Sequence, residues 1–300
     1  MLALSGLLLF SACSGSGDKT AADRGTGKSQ QNQVIDFEDP VLERLLQEKL
    51  KKEEIRASDL ADYRRIHIAA DEFVFLTKPG EDSESVAHYM LDDEFEFEGK
   101  RYHGFGTMTT LADLKHFAAL EEINVTLQPK IDYSTIPASV AKKVTIMRIN
   151  QSKLTSIDFV SDFPQLGELD IDGNDVSDLG PLAGKSSLIS LRFRWNQVED
   201  LSPLSDQKKL RTIQANSNKV SDLSPLAELP KLEEIGFYDN KIVDVSPLQG
   251  MSTLTNIELS NNRISDVSPL KDFTSIEELR LVGNPIKNIE LLSRVPNVEY

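Results

Sequence analysis

The sequence predicts an α/β solenoid: a curved stack of near-identical turns, with a parallel β-sheet on its concave side and short 3-10 or helical turns on its convex side. Three observations predict it. An asparagine returns every 22 residues, at Asn174, Asn196, Asn218, Asn240, Asn262 and Asn284. Aliphatic residues keep the same register at Leu166, Leu188, Leu210, Leu232, Leu254, Ile276 and Val298. Between them, pairs such as Leu191/Phe193, Ile213/Ala215, Ile235/Phe237 and Ile257/Leu259 alternate with polar residues. A fixed period of that length marks a stacked array, because one unit cannot cover its own apolar face.

Each element of the unit has a physical reason. The alternating stretch reads as a short strand with one buried face. Burial of each Leu or Ile contributes roughly 1.5–3 kcal/mol, so several per turn can offset the entropy of ordering it. The asparagine stands where the chain leaves the strand, and its amide can satisfy backbone groups that lose sheet partners there. Leu201-Ser-Pro-Leu204 and its copies ending at Leu226, Leu248 and Leu270 read as convex turns. Ser is expected as the N-cap, Pro at the first turn position, and the second Leu inward. Asp178, Asp200, Asp222, Asp244 and Asp266 recur with the same period and are expected to cap these turns rather than bind metal.

The spelling L-x-x-L-x-L-x-x-N-x-I/V-x-x-L-S-P-L resembles the leucine-rich-repeat signature. Its 22-residue unit is similar to that of the bacterial internalin-like branch, shared with the SDS22-like group. The resemblance covers about residues 34 to 300 and implies a curved protein-binding solenoid, not an enzyme and without cofactor. Asp39-Pro40 opens a helix carrying Val41, Leu42, Leu45, Leu46 and Leu50 on one face, and Ser58-Asp59-Leu60 starts a second. That order, F-x-D-P, helix, S-D-L, resembles the helical cap of internalin-like proteins and covers 34–62.

Residues 63–120 read as a first repeat whose register is interrupted at about 70–107 by β-rich stretches and the turns Pro79-Gly80 and Gly99-Lys100. A β-hairpin or three-stranded excursion is expected, either as a binding loop or as a shield over the cap. Repeats then run through 121–300, the first two degenerate, with Gln128 and Ser152 near the asparagine place. Val298 begins one more strand.

Leu2 to Phe10 form an apolar run too short to span a membrane, followed by Ser11-Ala12-Cys13. This resembles the signal peptide and lipobox of a bacterial lipoprotein, which implies a signal peptide over 1–12 and a diacylglyceryl-modified Cys13. Residues 13–33 then read as a polar tether. The expected location is the extracytoplasmic face of a bacterial cell membrane. The other reading is an intracellular SDS22-like scaffold that regulates an enzyme such as a phosphatase. With a single Cys, no intrachain disulfide forms.

A net charge of −15 argues against a nucleic-acid partner, which it would repel, and favours a basic surface. His67, His88, His103 and His116 lack metal-ligand spacing, and no phosphate loop or nucleophile motif occurs, so neither a metal nor a catalytic residue is expected. Binding is instead expected on the outward strand positions, which form columns along the concave face. One column reads Arg148, Asp170, Arg192, Gln214, Gly236, Glu258, Arg280, and its neighbour Asn150, Asp172, Arg194, Asn216, Tyr238, Ser260, Val282. Asp170, Asp172, Arg192, Arg194, Trp195, Gln214, Asn216 and Tyr238 are the candidate contacts for a protein partner, or a surface glycan or peptide, because Trp, Arg and Tyr dominate interface hot spots. Asp170/Asp172 and Arg192/Arg194 could alternatively be plain cross-strand ion pairs, and Gly236 is expected to leave a notch. The solenoid is expected to be a monomer.

Overall fold

A computed structural model describes residues 32–81, 88–91, 94–97 and 99–300, so Cys13, the signal peptide and most of the tether lie outside the described residues. The chain winds as the predicted solenoid, with an 11-stranded sheet on one side and 3-10 turns on the other. The sheet runs from β1 (Arg65–Ala69) through β6 (Glu122–Thr126), β7 (Ile146–Asn150), β8 (Glu168–Asp170), β9 (Ser190–Arg192) and β10 (Thr212–Gln214). It continues through β11 (Glu234–Gly236), β12 (Asn256–Glu258), β13 (Glu278–Arg280) and β14 (Val298–Glu299). All these neighbours pair in parallel, each strand lying beside its copy one turn later. The inward pairs Leu191/Phe193, Ile213/Ala215, Ile235/Phe237 and Ile257/Leu259 are all buried and belong to one continuous apolar core.

At the corner after each strand the chain takes a left-handed residue, at Gln151, Gly173, Trp195, Ser217, Asp239, Asn261 and Gly283. That conformation turns the backbone off the sheet and strands several N–H and C=O groups. The following asparagine satisfies them. Asn196 Nδ2 donates to the carbonyls of Ile171 at 2.9 Å and Phe193 at 3.1 Å, while its Oδ1 accepts from Val176 N–H at 2.9 Å. Asn174, Asn218, Asn240, Asn262 and Asn284 likewise donate to a carbonyl of the preceding turn and accept from one of its N–H groups. The amides therefore bond to the neighbouring backbone, not to one another. In the degenerate repeats, Gln128 donates to the Ala70 carbonyl, and Ser152 Oγ accepts from Gln128 N–H at 3.1 Å.

The convex turns fall at Ser202–Leu204, Ser224–Leu226, Ser246–Leu248 and Ser268–Leu270, each with its Leu buried. The expected capping role of Ser needs correction. Ser is the first residue inside the turn, and the residue before it is a buried Leu or Val with no capping side chain. Because that position must point into the core, the acceptor comes from one residue earlier. Asp200 accepts from Ser202 N–H at 2.8 Å and from its hydroxyl at 2.7 Å, with the same pair at Asp222 and Asp244. These donors hold the Asp200 carboxyl below its ordinary value, the backbone N–H contributing most.

Helices α1 (Pro40–Leu50) and α2 (Ala57–Leu60) close the first turn of the stack. Asp39 caps α1 by accepting from Val41 N–H at 3.0 Å, and also accepts from Thr109 N–H at 2.9 Å. The segment 70–107 divides in two. β2 (Phe73–Thr77) pairs antiparallel with β1 and ends the main sheet. β3 (His88–Leu91), β4 (Glu94–Phe97) and β5 (Lys100–His103) form a separate antiparallel sheet. Ile66 and Ile68 of β1 and Val74 and Leu76 of β2 point into the core, so His67, Phe73 and Phe75 face the concave side. Phe97 and Tyr102 pack there, with ring centroids 4.8 and 5.1 Å from Phe73. Among the described residues, the excursion thus covers β1 and β2 at the start of the trough.

Candidate concave binding face

Strand register decides what the open trough presents. Because the sheet is parallel and in step, Arg148, Asp170, Arg192, Gln214, Gly236, Glu258 and Arg280 stand side by side. Asp172, Arg194, Asn216 and Tyr238 follow two residues further along. A third column, Glu122, Ile146, Glu168, Ser190, Thr212, Glu234, Asn256 and Glu278, borders the trough on the side where the strands begin. Sequence reasoning left it out, although stepping back two residues along the same alternation would have found it.

Most charges on this face are spoken for. Arg65 reaches Glu122 at 2.7 Å, and Arg148 bridges Glu122 and Glu168. Arg194 grips Asp172 through its guanidinium at 2.6 and 2.7 Å and its backbone N–H at 2.6 Å. Arg280 joins Glu278 at 2.6 Å and Glu299 at 3.4 Å. Of the two cross-strand pairs considered, Asp172–Arg194 forms and Asp170–Arg192 does not. Asp170 instead accepts from the Asp172 N–H at 3.1 Å, and the Arg192 Nε is buried without an acceptor.

Gln214 and Asn216 are turned toward the sheet. Gln214 donates to Glu234 at 2.6 Å, and Asn216 Oδ1 accepts from Tyr238 N–H at 3.0 Å. The expected notch at Gly236 is not there. A Cβ at that position would lie 2.2 Å from Gln214 Oε1, so the missing side chain is what lets the Gln214 amide lie across the strand.

Trp195 is 55 % exposed and Tyr238 40 %. The Tyr238 hydroxyl accepts from Asn261 Nδ2 at 2.9 Å, which holds the ring upright. Trp195 occupies the left-handed corner with φ of 53°. Gly, Asn and Asp tolerate that conformation, but a bulky side chain is costly there. The Arg194 guanidinium lies 5.2 Å from its ring centroid. Trp195 is the one aromatic among the left-handed corner residues of the described repeats, and more than half of it is exposed. Beside it lies a trench of about 420 Å³, lined by Gly173, Trp195, Phe105 and Lys153 among others. Phe105 and Lys153 escaped sequence reasoning because one lies in the excursion and the other in a degenerate repeat; the fold alone brings them to the trench that Trp195 lines.

Two buried titratable groups give the face opposing pH responses. Burial, reinforced by the Asp172 carboxylate, pushes Asp170 up to about 7. Burial, reinforced by Arg148, pushes His67 down to about 4. From about pH 4 upward the folded state holds a proton on Asp170 that the unfolded chain has lost, so this residue's contribution to stability declines as pH rises to about 7. His67 acts the other way: its contribution declines as pH falls from 6.5 toward 4. Asp170→Asn should therefore gain stability relative to wild type as pH rises across that window, by up to about 1.4 kcal/mol per pH unit. Urea midpoints at both ends of the window check it; parallel profiles for the two proteins would remove the charge penalty from Asp170.

Among the described residues no cluster of His, Cys, Asp or Glu is arranged to hold a metal ion, and no helix is long and apolar enough to cross a membrane. A family profile for leucine-rich repeats, in two copies, matches residues 252–294. Among curated proteins none matches. Among solved structures, internalin C2 of Listeria monocytogenes is similar at 25% identity and a TM-score of 0.60, over 80% of this chain and 92% of its own. A leucine-rich-repeat protein of Leptospira interrogans is similar in fold at 18% identity and a TM-score of 0.52, over 66% of this chain and 59% of its own. Repeat spelling, sheet and fold likeness together describe an internalin-like leucine-rich-repeat solenoid.

Proposed function

We propose that this protein is a non-catalytic binding module of the bacterial surface, held to the membrane through a lipid on Cys13 and engaging a protein partner with the open concave face. The observation that carries the binding reading is Trp195: a large aromatic in a left-handed corner, 55 % exposed, with Arg194 against its ring and Tyr238 two strands away. Two strand spacings put these aromatics about 10 Å apart, within the core of one standard interface. The excursion closes the start of the trough, so a partner meets β7 to β13.

Trp195→Asn is the cleanest test, because Asn261 already occupies the same corner in another repeat and Arg194 stays on Asp172. Photo-cross-linking on intact cells should trap a partner with the wild type and lose it with Trp195→Asn, while the melting temperature stays equal or rises. Undiminished trapping would remove the concave patch from consideration. The anchor is tested separately: Cys13→Ala should move the protein out of the membrane fraction. A protein found in the cytosol with or without Cys13 would favour the intracellular scaffold.

A further inference from the structure

We propose that the concave face between β10 and β12 seats a lysine of the partner protein. Its ammonium rests over Gly236, between the Glu234 and Glu258 carboxylates, and its stem lies along the Tyr238 ring. This rests on the concave-face reading and adds the partner's chemistry to it.

Gly236 is the centre of this patch because the sheet is in register. Gln214 and Glu258 stand beside it on the two flanking strands. Glu234 and Tyr238 lie two residues before and after it in the chain, on the same outward face. With no side chain at Gly236, the neighbouring amides lean in. Gln214 Oε1 would be 2.2 Å and Asn216 Oδ1 2.9 Å from a Cβ placed there. The Gln214 Nε2 donor is taken by Glu234 at 2.6 Å, so the groups that converge above Gly236 are oxygens. Tyr238 borders them, 40 % exposed, with its hydroxyl held by Asn261.

Charge selects the occupant. Nearer the start of the trough, Arg148 holds Glu122 and Glu168, and Arg194 holds Asp172. From β10 to β12 the outward positions carry Glu234 and Glu258 and no basic side chain. Among the described residues, the Glu234 carboxylate is bonded by the Gln214 amide alone. Arg280 stands 3.9 Å from Glu258 but is already engaged by Glu278 at 2.6 Å and Glu299 at 3.4 Å. Two carboxylates and two amide oxygens around one point call for a group that donates without accepting and carries positive charge. Arg is the poorer match, because its planar fork takes both oxygens of one carboxylate. Here Glu234 Oε1 is taken by Gln214, and Glu258 Oε1 by the Ser260 N–H at 2.7 Å. An ammonium instead turns its three donors toward single oxygens on different strands. A neutral side chain would leave both negative charges uncompensated, and an acidic one would be repelled. The lysine stem adds apolar contact with the Tyr238 ring.

The test uses the purified full chain and three probes: N-acetyl-glycyl-lysyl-glycine amide, its arginine counterpart and its Nε-acetyl-lysine form. Nitrogen-15 spectra follow the Gln214 side-chain amide and the Gly236 N–H. The lysine probe should shift both signals saturably. The arginine probe should bind at least about threefold more weakly and the acetylated probe at least about tenfold. Glu234→Gln keeps an acceptor for Gln214, and Glu258→Gln keeps one for the Ser260 N–H, so both should melt as the wild type does. Each should weaken the lysine probe at least about fivefold; should one variant melt lower, the other decides. Glu228→Gln removes the same charge from an exposed site just after the convex turn Ser224–Leu226 and should leave binding unchanged. Equal or tighter binding of the arginine probe, equal binding of the acetylated probe or no response to the lysine probe would each overturn the proposal. So would undiminished binding in the trough variants, or equal weakening by Glu228→Gln, which would show only a general attraction to an acidic protein. Failure here with Trp195→Asn still abolishing cross-linking would reject the lysine seat alone; failure of both would reject the concave site.

Discussion

Replacing Asn196 by Ala lowers the stability of the solenoid by about 1–3 kcal/mol, because it orphans a buried backbone N–H and removes a donor from carbonyls on two turns. The lost amide leaves the Val176 N–H without an acceptor, while the Ile171 and Phe193 carbonyls each lose one donor and keep the amides of Asn174 and Asn218. Asn196 is 3 % exposed, so water does not replace it without opening the corner. Asn196→Asp gives the matching result: it keeps an acceptor for Val176 but turns a negative charge toward carbonyl oxygens, and is expected to destabilise at least as much at neutral pH. Urea denaturation followed by circular dichroism measures both. A loss below about 0.5 kcal/mol for Asn196→Ala would mean that the corner is held by the sheet ladder alone.

The second large effect is expected at Asp113, a residue that neither the repeat pattern nor the cap motif singles out. Its side chain is fully buried, and its carboxylate accepts from Glu38 N–H at 3.0 Å and Asp39 N–H at 2.9 Å. Asp39 in turn caps α1 and holds Thr109. Two carboxylates therefore fasten the helical cap to the first convex turn. Asp113→Ala should cost about 2–4 kcal/mol by leaving these N–H groups buried without an acceptor. The loss should be local: hydrogen exchange in α1 and β1 should quicken while β9 to β12 stay protected, since a repeat contacts only its neighbours. Uniform loss of protection along the stack would show that the cap and the repeats unfold as one unit.

How much of this was legible in the sequence differs from residue to residue. Leu191, Phe193 and Asn196 could be placed without coordinates because one spatial rule, each turn stacked on an identical turn, repeats in the sequence at one period. The concave columns followed for the same reason, since a strict register makes lateral neighbours 22 residues apart. Side-chain direction was less legible. Ser202 looked like a cap by type, yet the inward demand on Leu201 moved that duty to Asp200. Gly236 looked like a gap, yet the neighbouring Gln214 lies across it. Each outcome depends on what the adjoining turn does with its own side chains.

The non-repeating parts lie furthest from sequence reasoning. The segment 70–107 reads as β-rich, but nothing in its spelling says that Phe73–Thr77 closes the main sheet while Phe97 and Tyr102 fold back over the trough. The chain by itself determined the solenoid, its strand register and its inward residues, because those depend on contacts between copies at a constant separation. Only the tertiary structure decided that Asp172 pairs with Arg194 while Asp170 and Arg192 form no ion pair, which part of the trough is covered and that Phe105 and Trp195 line one trench. Those depend on single contacts between unlike segments, for which no period exists to be read.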